Sequence, residues 1–353
     1  LPLPPGADLG LREADKPPAP KLAPRRLPLV PQPTDWRPSA GTVAFAALAP
    51  REGLEGVAEL AERVGLAPVV TASGVPLAVT EDAALGPEGY RLTIAAEGLS
   101  VAVGGAAGLH YAGITLLSLR ETCGGQLPCG RITDTPRFGW RGQHLDCARH
   151  FFGVDFILRL LDLMALLKLN RFHWHLSDDE AFRLEVASQP LLWQRTAFRG
   201  EGELVPGVFG GGIGAGGSYS TADLARVLKR ARALHIEVLP EIEVPAHSHG
   251  MVKALPGLRD PGDNGEEASV QGYIDNIVNP AMPATWEILQ PLAEEVAGLF
   301  PFGMIHLGAD EAPHGAWDGS PAVAALKARE GLAASDDVQG WMMDRLAGFL
   351  ASH

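Results

Sequence analysis

Apolar residues in the first third of the chain alternate with polar ones over short stretches. The segments GTVAFAAL (41–48) and YRLTIAAEGLSVAVGG (90–105) show the period of two that is typical of strands, and the second predicts a hairpin that turns at residues 97–98. The segment AAGLHYAGITLLSLRE (106–121) predicts an amphipathic helix. The pattern therefore predicts a small α+β domain at 27–133, an open sheet covered by helices and without catalytic residues. A Pro-rich lead-in at 1–26 leaves little room for regular structure.

From residue 134 onward, predicted strands alternate with longer helices. Four strands are predicted: WRGQHLD (140–146), RFHWHL (171–176), IEVLPEIE (236–243) and MIHLG (304–308). Each is followed by a helical pattern, at 153–170, 221–235, 284–300 and 336–353. Four consecutive βα units predict a parallel sheet. We expect an α/β fold in which 134–353 form the first four units of a (β/α)8 TIM-type barrel.

The composition narrows the classes of partner. Hydrophobic residues make up 46% of the 353 residues, which is ample for a core. Lys and Arg number 29 against 42 Asp and Glu, and this net charge of −13 argues against nucleic acid or an anionic membrane as the main partner. No segment approaches the roughly 20 consecutive apolar residues of a membrane span. The N-terminal LPLPPGADLG lacks an initiator Met and a signal-peptide core, which indicates a processed or trimmed end.

The three cysteines leave two possibilities open. Cys123 and Cys129 flank a Gly-rich turn that a small disulfide could close, whereas Cys147 lies in an apolar segment and is expected to be a buried thiol. A disulfide would require an oxidising compartment, so we expect an extracellular or periplasmic protein if it forms.

Polar residues follow the carboxyl end of each predicted barrel strand, where barrel enzymes place their active sites. Any one of these groups, taken alone, is most simply a solvated loop charge. Because all four strand ends carry them, the sequence predicts an active site there. The residues are Asp146, Arg149 and His150; His175, Asp178 and Asp179; Glu241, Glu243 and His247; and Asp310 with Glu311.

Four segments in this order carry a family resemblance: RGQHLDCARHFF, FHWHLSDD, LPEIEVPAHS and HLGADE. Together they resemble the β-N-acetylhexosaminidases of glycoside hydrolase family 20 over about residues 134–320, and the small α+β domain fits the usual N-terminal partner of that family. The resemblance implies an exo-acting, retaining enzyme that hydrolyses terminal β-linked N-acetylhexosamines, with no cofactor and no metal.

The resemblance also explains why two acids are adjacent. Most retaining glycosidases place two carboxylates about 5 Å apart on opposite sides of the scissile bond, which neighbouring residues cannot easily do. In this family the acetamido group of the substrate is the nucleophile and an oxazolinium ion forms. Glu311 is then implied to be the general acid and base, and Asp310 to orient the acetamide. Because Glu311 must carry its proton, we expect the neighbouring anion and partial burial of Glu311 to raise its pKa, and the activity optimum to be acidic to neutral.

Other residues are implied to support these two. The resemblance assigns Arg149 to the hydroxyls of the non-reducing sugar, for which a planar guanidinium is better suited than an ammonium group. It places Asp178 and His247 behind the acid, where they could instead form a purely structural ion pair. Four further residues are expected to contact this first set from behind: His306, Glu243, His175 and Asp179.

Two other functions remain open on the residues alone. His173, His175 and Asp178, together with His247 and His249, are ligand types of a metal-dependent barrel hydrolase. A degenerate barrel could also be a non-catalytic sugar-binding module. The run VFGGGIGAGGS (208–218) lacks the Lys-Ser/Thr of a phosphate-binding loop and is interpreted as a flexible loop near the site.

The barrel segment is short. About 215 residues follow Arg137, whereas a complete (β/α)8 barrel takes roughly 250. Half a barrel would leave open strand edges. The sequence therefore predicts a second polypeptide that supplies the rest of the barrel.

Overall fold

The computed structural model describes residues 26–207, 214–260, 269, 272 and 277–352. The Pro-rich lead-in, except Arg26, lies outside the described residues, as does part of the Gly-rich run, at 208–213. The chain divides into two compact units, Leu1–Arg137 and Phe138–His353, called here the N-terminal and C-terminal units. No helix among the described residues has the length and hydrophobicity of a membrane span.

The described residues of the N-terminal unit form a five-stranded sheet and two helices. Its strands are β1 (Asp35–Ala44), β2 (Leu77–Glu81), β3 (Tyr90–Ala95), β4 (Gly98–Val103) and β5 (Gln126–Asp134), in the order β1-β5-β3-β4-β2. Only the β2–β4 pair is parallel. The helices are α1 (Glu55–Arg63) and α2 (Ala106–Thr122), and a short 3₁₀ turn spans Ala83–Leu85.

Two predictions for this unit need correction. Ala95 pairs with Gly98, so the hairpin turns one residue earlier than predicted, at residues 96–97. Helix α2 is not amphipathic, because ten consecutive residues from Gly108 to Leu117 are buried. It packs against α1 as well as β3, β4 and β5. A Cβ at Gly113 would lie 2.9 Å from Val57 of α1, so the helix approach requires a glycine there.

The C-terminal unit is built around a parallel three-stranded sheet, in the order β12-β7-β6. Its strands are β6 (Gly142–Asp146), β7 (Arg171–His175), β8 (Ser177–Asp178), β9 (Ala181–Phe182), β10 (Phe198–Arg199), β11 (Ala215–Gly216) and β12 (Glu237–Glu241). Its helices are α3 (Val154–Leu166), α4 (Pro190–Thr196), α5 (Thr221–Ala233), α6 (His249–Ala254), α7 (Pro283–Leu299), α8 (Pro321–Glu330) and α9 (Ser335–Ala351), with a 3₁₀ turn at Pro256–Leu258.

The helices that cross between the strands are fixed by local sequence and by a buried ion pair. Helix α5 starts with a capping box, in which the Ser220 and Asp223 side chains bond to each other's backbone N–H. Its Arg230 donates two hydrogen bonds to Asp162 of α3, at 2.8 and 2.6 Å. Because β6, β7 and β12 are parallel, their carboxyl ends lie at one edge of the sheet.

The fourth predicted strand, at 304–308, is wrong as a full strand. Among the described residues it is one bridge, His306 to Glu241, in which His306 N–H donates to Pro240 O at 2.9 Å and Ile242 N–H to His306 O at 3.0 Å. Gly303 and Gly308 have φ near +70°, and such angles interrupt an extended backbone on either side of the bridge. The bridge is parallel and continues the sheet order beyond β12.

Candidate active site

The strand ends bring the predicted residues to one face of the sheet. His144 of β6 is in register with His173 of β7, and Asp146 with His175, which is itself in register with Glu241 of β12. Side chains in register on neighbouring strands point to the same side. The polar residues that the sequence places two apart on each strand therefore form one continuous surface.

Arg149 is held by the carboxylate of Asp146. One Asp146 oxygen accepts the backbone N–H groups of Ala148 and Arg149 at 3.0 and 2.9 Å, and the other lies 2.8 Å from Arg149 Nη1. Nη1 is also 3.0 Å from Asp178 Oδ2. Burial would lower the pKa of Arg149, but the hydrogen bond to Asp146 and the charge of Asp178 outweigh burial and raise the pKa above its usual value. The guanidinium is permanently charged and 34% exposed, so it can reach a ligand.

Asp178 lies fully buried at the centre of the site. Its Oδ2 is 3.2 Å from His175 Nε2, and its Oδ1 accepts a hydrogen bond from His247 Nδ1 at 3.2 Å. Burial would raise its pKa, but the bonds from His175 and His247 and the charge of Arg149 outweigh that effect and hold the pKa well below its usual range. Asp178 is therefore an anion at every working pH.

His247 connects Asp178 to Glu311. The hydrogen bond to Asp178 raises the pKa of His247 to about 9, against the opposing effect of burial. Because both ring nitrogens of an imidazolium donate, Nδ1 donates to Asp178 and Nε2 donates to Glu311 Oε2, also at 3.2 Å. Asp310 Oδ2 lies 4.0 Å from the same Nε2. The structure thus joins Asp178, His247 and Glu311 in one hydrogen-bonded chain.

The turn that carries Asp310 and Glu311 has an unusual backbone. Ala309 and Glu311 have φ of 72° and 47°, values that side-chain-bearing residues adopt infrequently and mostly at functional sites. Gln339 of α9 donates to Ala309 O at 2.6 Å and anchors the turn. The expectation that Glu311 is partly buried is wrong. Its side chain is 64% exposed and that of Asp310 63%, because the turn projects beyond the last backbone hydrogen bonds of the sheet.

Glu243 lies beneath this turn. Its side chain is buried, and Oε2 has no hydrogen-bond partner among the described residues. A Cβ at Gly308 would lie 1.6 Å from that oxygen, so the carboxyl group packs directly under the turn and requires a glycine there. Burial, followed by the negative charges of Asp310 and Glu241, raises the pKa of Glu243 to about 10. Glu243 is therefore a neutral acid at physiological pH.

Glu241 lies below Glu243 and is surrounded by imidazoles. Burial would raise its pKa, but the neighbouring histidines outweigh burial and hold it below its usual range. The ring nitrogens of four histidines lie within 3.5 Å of its carboxylate: His306 at 2.7, His173 at 2.8, and His144 and His175 at 3.5 Å. His175 and His306 thus contact this carboxylate, and His175 also contacts Asp178.

Asp179 has different partners from Asp178. Its carboxylate accepts the backbone N–H of His249 at 3.1 Å and the hydroxyl of Ser269. Burial raises its pKa. Asp179 thereby fixes the start of α6, just after His247.

The metal ligands considered from the sequence do not form one set. His173 lies against Glu241, His247 against Asp178, and the His249 backbone against Asp179. Smaller groups do have donor atoms within 4.8 Å of one another, a spacing that a metal ion could use; they include His144, His173 and Glu241; Asp146, His175 and Asp178; and Asp178, Asp179 and His247.

The three cysteines are free thiols. Cys129 is buried in β5, and Cys123 follows α2. Cys147 is buried as predicted; its sulfur accepts the Trp174 indole N–H at 3.3 Å, and burial raises its pKa to about 11. Cys147 therefore contributes to the packing of the loop that carries Arg149.

Two family models match the chain and show the family to which it belongs. Residues 138–353 match the family model described as glycosyl hydrolase family 20, catalytic domain, and residues 26–135 match the family 20 model for domain 2. The chain belongs to glycosyl hydrolase family 20. The resemblance carried by the four sequence segments is thereby confirmed.

Relatives and solved structures of family 20 agree. A beta-hexosaminidase of Vibrio furnissii is 40% identical over 258 residues, which cover 72% of this chain and 42% of the relative. A beta-hexosaminidase of Akkermansia muciniphila is 33% identical over 270 residues, 75% of this chain and 54% of the relative. An exo β-N-acetylglucosaminidase of Vibrio harveyi, solved with N-acetylglucosamine, has a TM-score of 0.84 at 33% identity and covers 94% of this chain and 55% of its own.

The chain spans about half the length of these family 20 relatives. The C-terminal unit is a partial α/β fold of the kind that the family uses, and the closed eight-stranded barrel is not seen in the described residues. The comparisons give no support to the expectation that a second polypeptide supplies the remainder.

Several residues of this family 20 site were not assigned from the sequence. Ser177 Oγ accepts the Glu243 N–H at 2.8 Å and ties the segment that follows β12 to β8. His144 was given no role, Glu241 was predicted only as one of the strand-end acids, and His173 was considered only as a metal ligand. The period of two along the strands was the available signal, because it places them on the same face as Asp146, His175 and Glu243.

Proposed function

We propose that this chain contributes the acid-bearing half of the active site of an exo-acting, retaining β-N-acetylhexosaminidase. The substrate would be a terminal β-linked N-acetylglucosamine or N-acetylgalactosamine on an oligosaccharide or glycoconjugate. The observation that carries the proposal is the chain from Asp178 through His247 to Glu311, with Asp310 beside it. We further propose that 27–133 is a separate α+β domain and that 134–353 form the first half of a (β/α)8 barrel.

Glu311 is the proposed general acid. In the first step its proton passes to the glycosidic oxygen as the C1–O bond breaks, and in the second step the carboxylate takes a proton from the attacking water. His247 donates to Glu311 Oε2, which leaves Oε1 for the substrate oxygen. The exposure of the side chain is consistent with this task, because the acid has to reach a bond outside the protein surface.

Asp310 is proposed to act on the acetamide. The amide oxygen of the substrate attacks C1 as the leaving group departs, so positive charge develops over the forming oxazolinium ring. A carboxylate that accepts the acetamide N–H orients that oxygen and stabilises this charge, which exists only late in the step. The neutral state of Glu243 below the turn removes one like charge from beside Asp310.

Arg149 is proposed to bind the hydroxyls of the non-reducing sugar. Asp146 and Asp178 fix its guanidinium on one side. Its remaining N–H groups can donate to vicinal hydroxyls in the fork geometry that arginine favours. His175, Glu243, His306 and Asp179 are proposed to hold these groups in place from behind.

Turnover of an aryl N-acetyl-β-glucosaminide by the full-length protein tests the proposal. We expect hydrolysis that is unaffected by a chelator. Loss of activity on chelation and its return with zinc would favour a metal-dependent hydrolase instead. Binding of the sugar without turnover would favour a sugar-binding module.

The raised pKa of His247 predicts how stability depends on pH. A group whose pKa is raised on folding stabilises the protein fully below its unfolded pKa of about 6.5 and loses that effect as the pH rises through the folded value, here about 9. His247→Gln should therefore destabilise the protein more at pH 6 than at pH 10, by at most roughly 3 kcal/mol. Urea unfolding of both proteins at the two pH values measures this difference. An equal destabilisation at both would show that the charged His247 does not contribute.

A further inference from the structure

The residues that carry Arg149 form a loop, 147–152, which leaves the end of β6 and is called here the Arg149 loop. Its first two carbonyls are bound by the guanidinium of Arg183. Arg183 Nε donates to Cys147 O at 3.1 Å, and Nη2 donates to Ala148 O at 2.7 Å. These are the two residues immediately before Arg149, so Arg183 fixes the backbone from which the sugar-binding side chain extends.

Arg183 binds a second segment with its remaining nitrogen. Nη1 donates to Ala197 O and, at 3.2 Å, to Gly217 O. The residue is 1% exposed, and among the described residues these four carbonyls are its side-chain acceptors. Burial, followed by the charge of Arg199, lowers its pKa to about 10, so it remains a cation at neutral pH. A buried cation is costly to desolvate, and its free energy depends on keeping all four carbonyl acceptors in position.

Tyr219 binds the other end of the Arg149 loop. Its hydroxyl donates to Phe152 O at 2.6 Å, and its ring lies 5.0 Å from the Phe151 ring. The residue is fully buried. Its backbone N–H donates to Arg183 O at 2.7 Å. The backbone segments that carry Arg183 and Tyr219 are therefore hydrogen-bonded to each other.

The segment just before Tyr219 is shaped to approach the loop closely. Gly217 has φ of 157°, and a Cβ at this position would lie 2.5 to 2.8 Å from the Phe151 ring. A larger residue would therefore push the Arg149 loop away from Arg183. Gly216 and Gly217 are the last glycines of the Gly-rich run at 208–218. The close packing around them explains why these positions are glycines.

We propose that Arg183 and Tyr219 form a clasp that sets the position of the Arg149 loop and thereby the affinity for the non-reducing sugar. Both are positioning residues that act through Arg149. The inference rests on the proposed function, because it assumes that Arg149 binds the sugar. A sugar hydroxyl is bound in the ground state and in the transition state alike, so loosening the clasp should raise KM and leave kcat nearly unchanged.

The test uses Tyr219→Phe in the full-length protein, since this change removes one hydrogen bond and keeps the ring. On an aryl N-acetyl-β-glucosaminide we expect KM to rise about fivefold, as loss of one buried hydrogen bond typically does. In an Arg149→Ala background, Tyr219→Phe should have almost no further effect on KM, because the residue through which it acts is gone. Arg183→Lys should behave in the same way with a larger KM increase.

Tyr111→Phe is the matched control. Tyr111 is also buried, and its hydroxyl also donates a hydrogen bond, to Glu88 in the N-terminal unit, so its removal should leave KM unchanged. Hydrogen exchange gives a readout that does not need activity: amides of residues 147–152 should exchange faster in Tyr219→Phe than in the parent protein. Arg183→Lys is expected to give the same local effect if it folds.

The outcomes separate the two proposals. If the parent protein does not hydrolyse the substrate, the proposed function fails, and the exchange rates alone decide the clasp. If the parent is active but Tyr219→Phe raises KM equally with and without Arg149, the clasp is contradicted. Unchanged exchange at 147–152 would also contradict it.

Discussion

Replacing Asp310 by Asn is expected to lower turnover of 2-acetamido substrates by roughly 10²-fold or more, the loss typical of removing a group that stabilises transition-state charge. The side chain keeps its size, and Asn can still contact the acetamide. It no longer carries the negative charge that offsets the forming oxazolinium ion. The effect should therefore fall on kcat more than on KM, and steady-state kinetics of both proteins measure it.

Asp336→Asn is a suitable control for this change. Asp336 is an exposed acid at the start of α9, with His314 3.5 Å away, and lies outside the proposed site. It should retain parent activity. A thiazoline that imitates the cyclic intermediate should inhibit the parent protein competitively. Parent-like rates for Asp310→Asn, together with no inhibition by the thiazoline, would refute acetamide participation.

Replacing Glu311 by Gln should have an effect that depends on the leaving group. A poor leaving group, such as a sugar hydroxyl, needs a proton as the bond breaks, and loss of a general acid costs about 10²- to 10⁴-fold. An activated aryloxide leaves without that help, so aryl glycosides should lose much less in bond cleavage. Rates of Glu311→Gln on a disaccharide and on a series of aryl N-acetyl-β-glucosaminides measure the difference.

Glu330→Gln provides the same chemical change on a surface carboxylate, which lies 2.8 Å from Arg329 Nε and outside the site. It should not alter the dependence on leaving group. If Glu311→Gln slowed both substrate classes equally while bond cleavage limited the rate, Glu311 would not be the acid.

Strand positions in the C-terminal unit could be predicted because each strand is a short segment followed by a loop and a helical pattern. Strands β6, β7 and β12 begin and end within two residues of the predicted bounds. The fourth strand could not be predicted correctly. Its sequence MIHLG fits the pattern of a strand, but the φ angles of Gly303 and Gly308 restrict it to one bridge. Periodicity records which side chains are apolar and carries no information on the backbone angles of a glycine.

The candidate active site, like the strands, could be predicted only in part. The strand-end rule brought Asp178, His247 and Glu311 into one list, and the structure places them in one hydrogen-bonded chain. It could not predict that the Glu311 side chain is 64% exposed, because the order of residues does not show how far the turn projects from the sheet. Arg183 was also beyond prediction, because its acceptors are backbone carbonyls that every residue possesses.

The proton held by Glu243 illustrates a further limit. Sequence alone shows two acids two positions apart, Glu241 at the end of β12 and Glu243 just after it, which would both be expected to ionise. In the structure they lie in different surroundings: histidines favour the charged form of Glu241, whereas burial beside Asp310 favours the neutral form of Glu243. Such a division depends on neighbours from other strands and follows only from the fold.

The most direct measurement of the central claim compares two aryl glycosides that differ only at the 2-position, a 2-acetamido glucoside and the corresponding 2-hydroxy glucoside. If the acetamide is the nucleophile and Asp310 orients it, the full-length protein should hydrolyse the first and show almost no turnover of the second. Similar kcat/KM values for the two substrates would contradict the account, because a protein that does not need the acetamide must supply its own nucleophile.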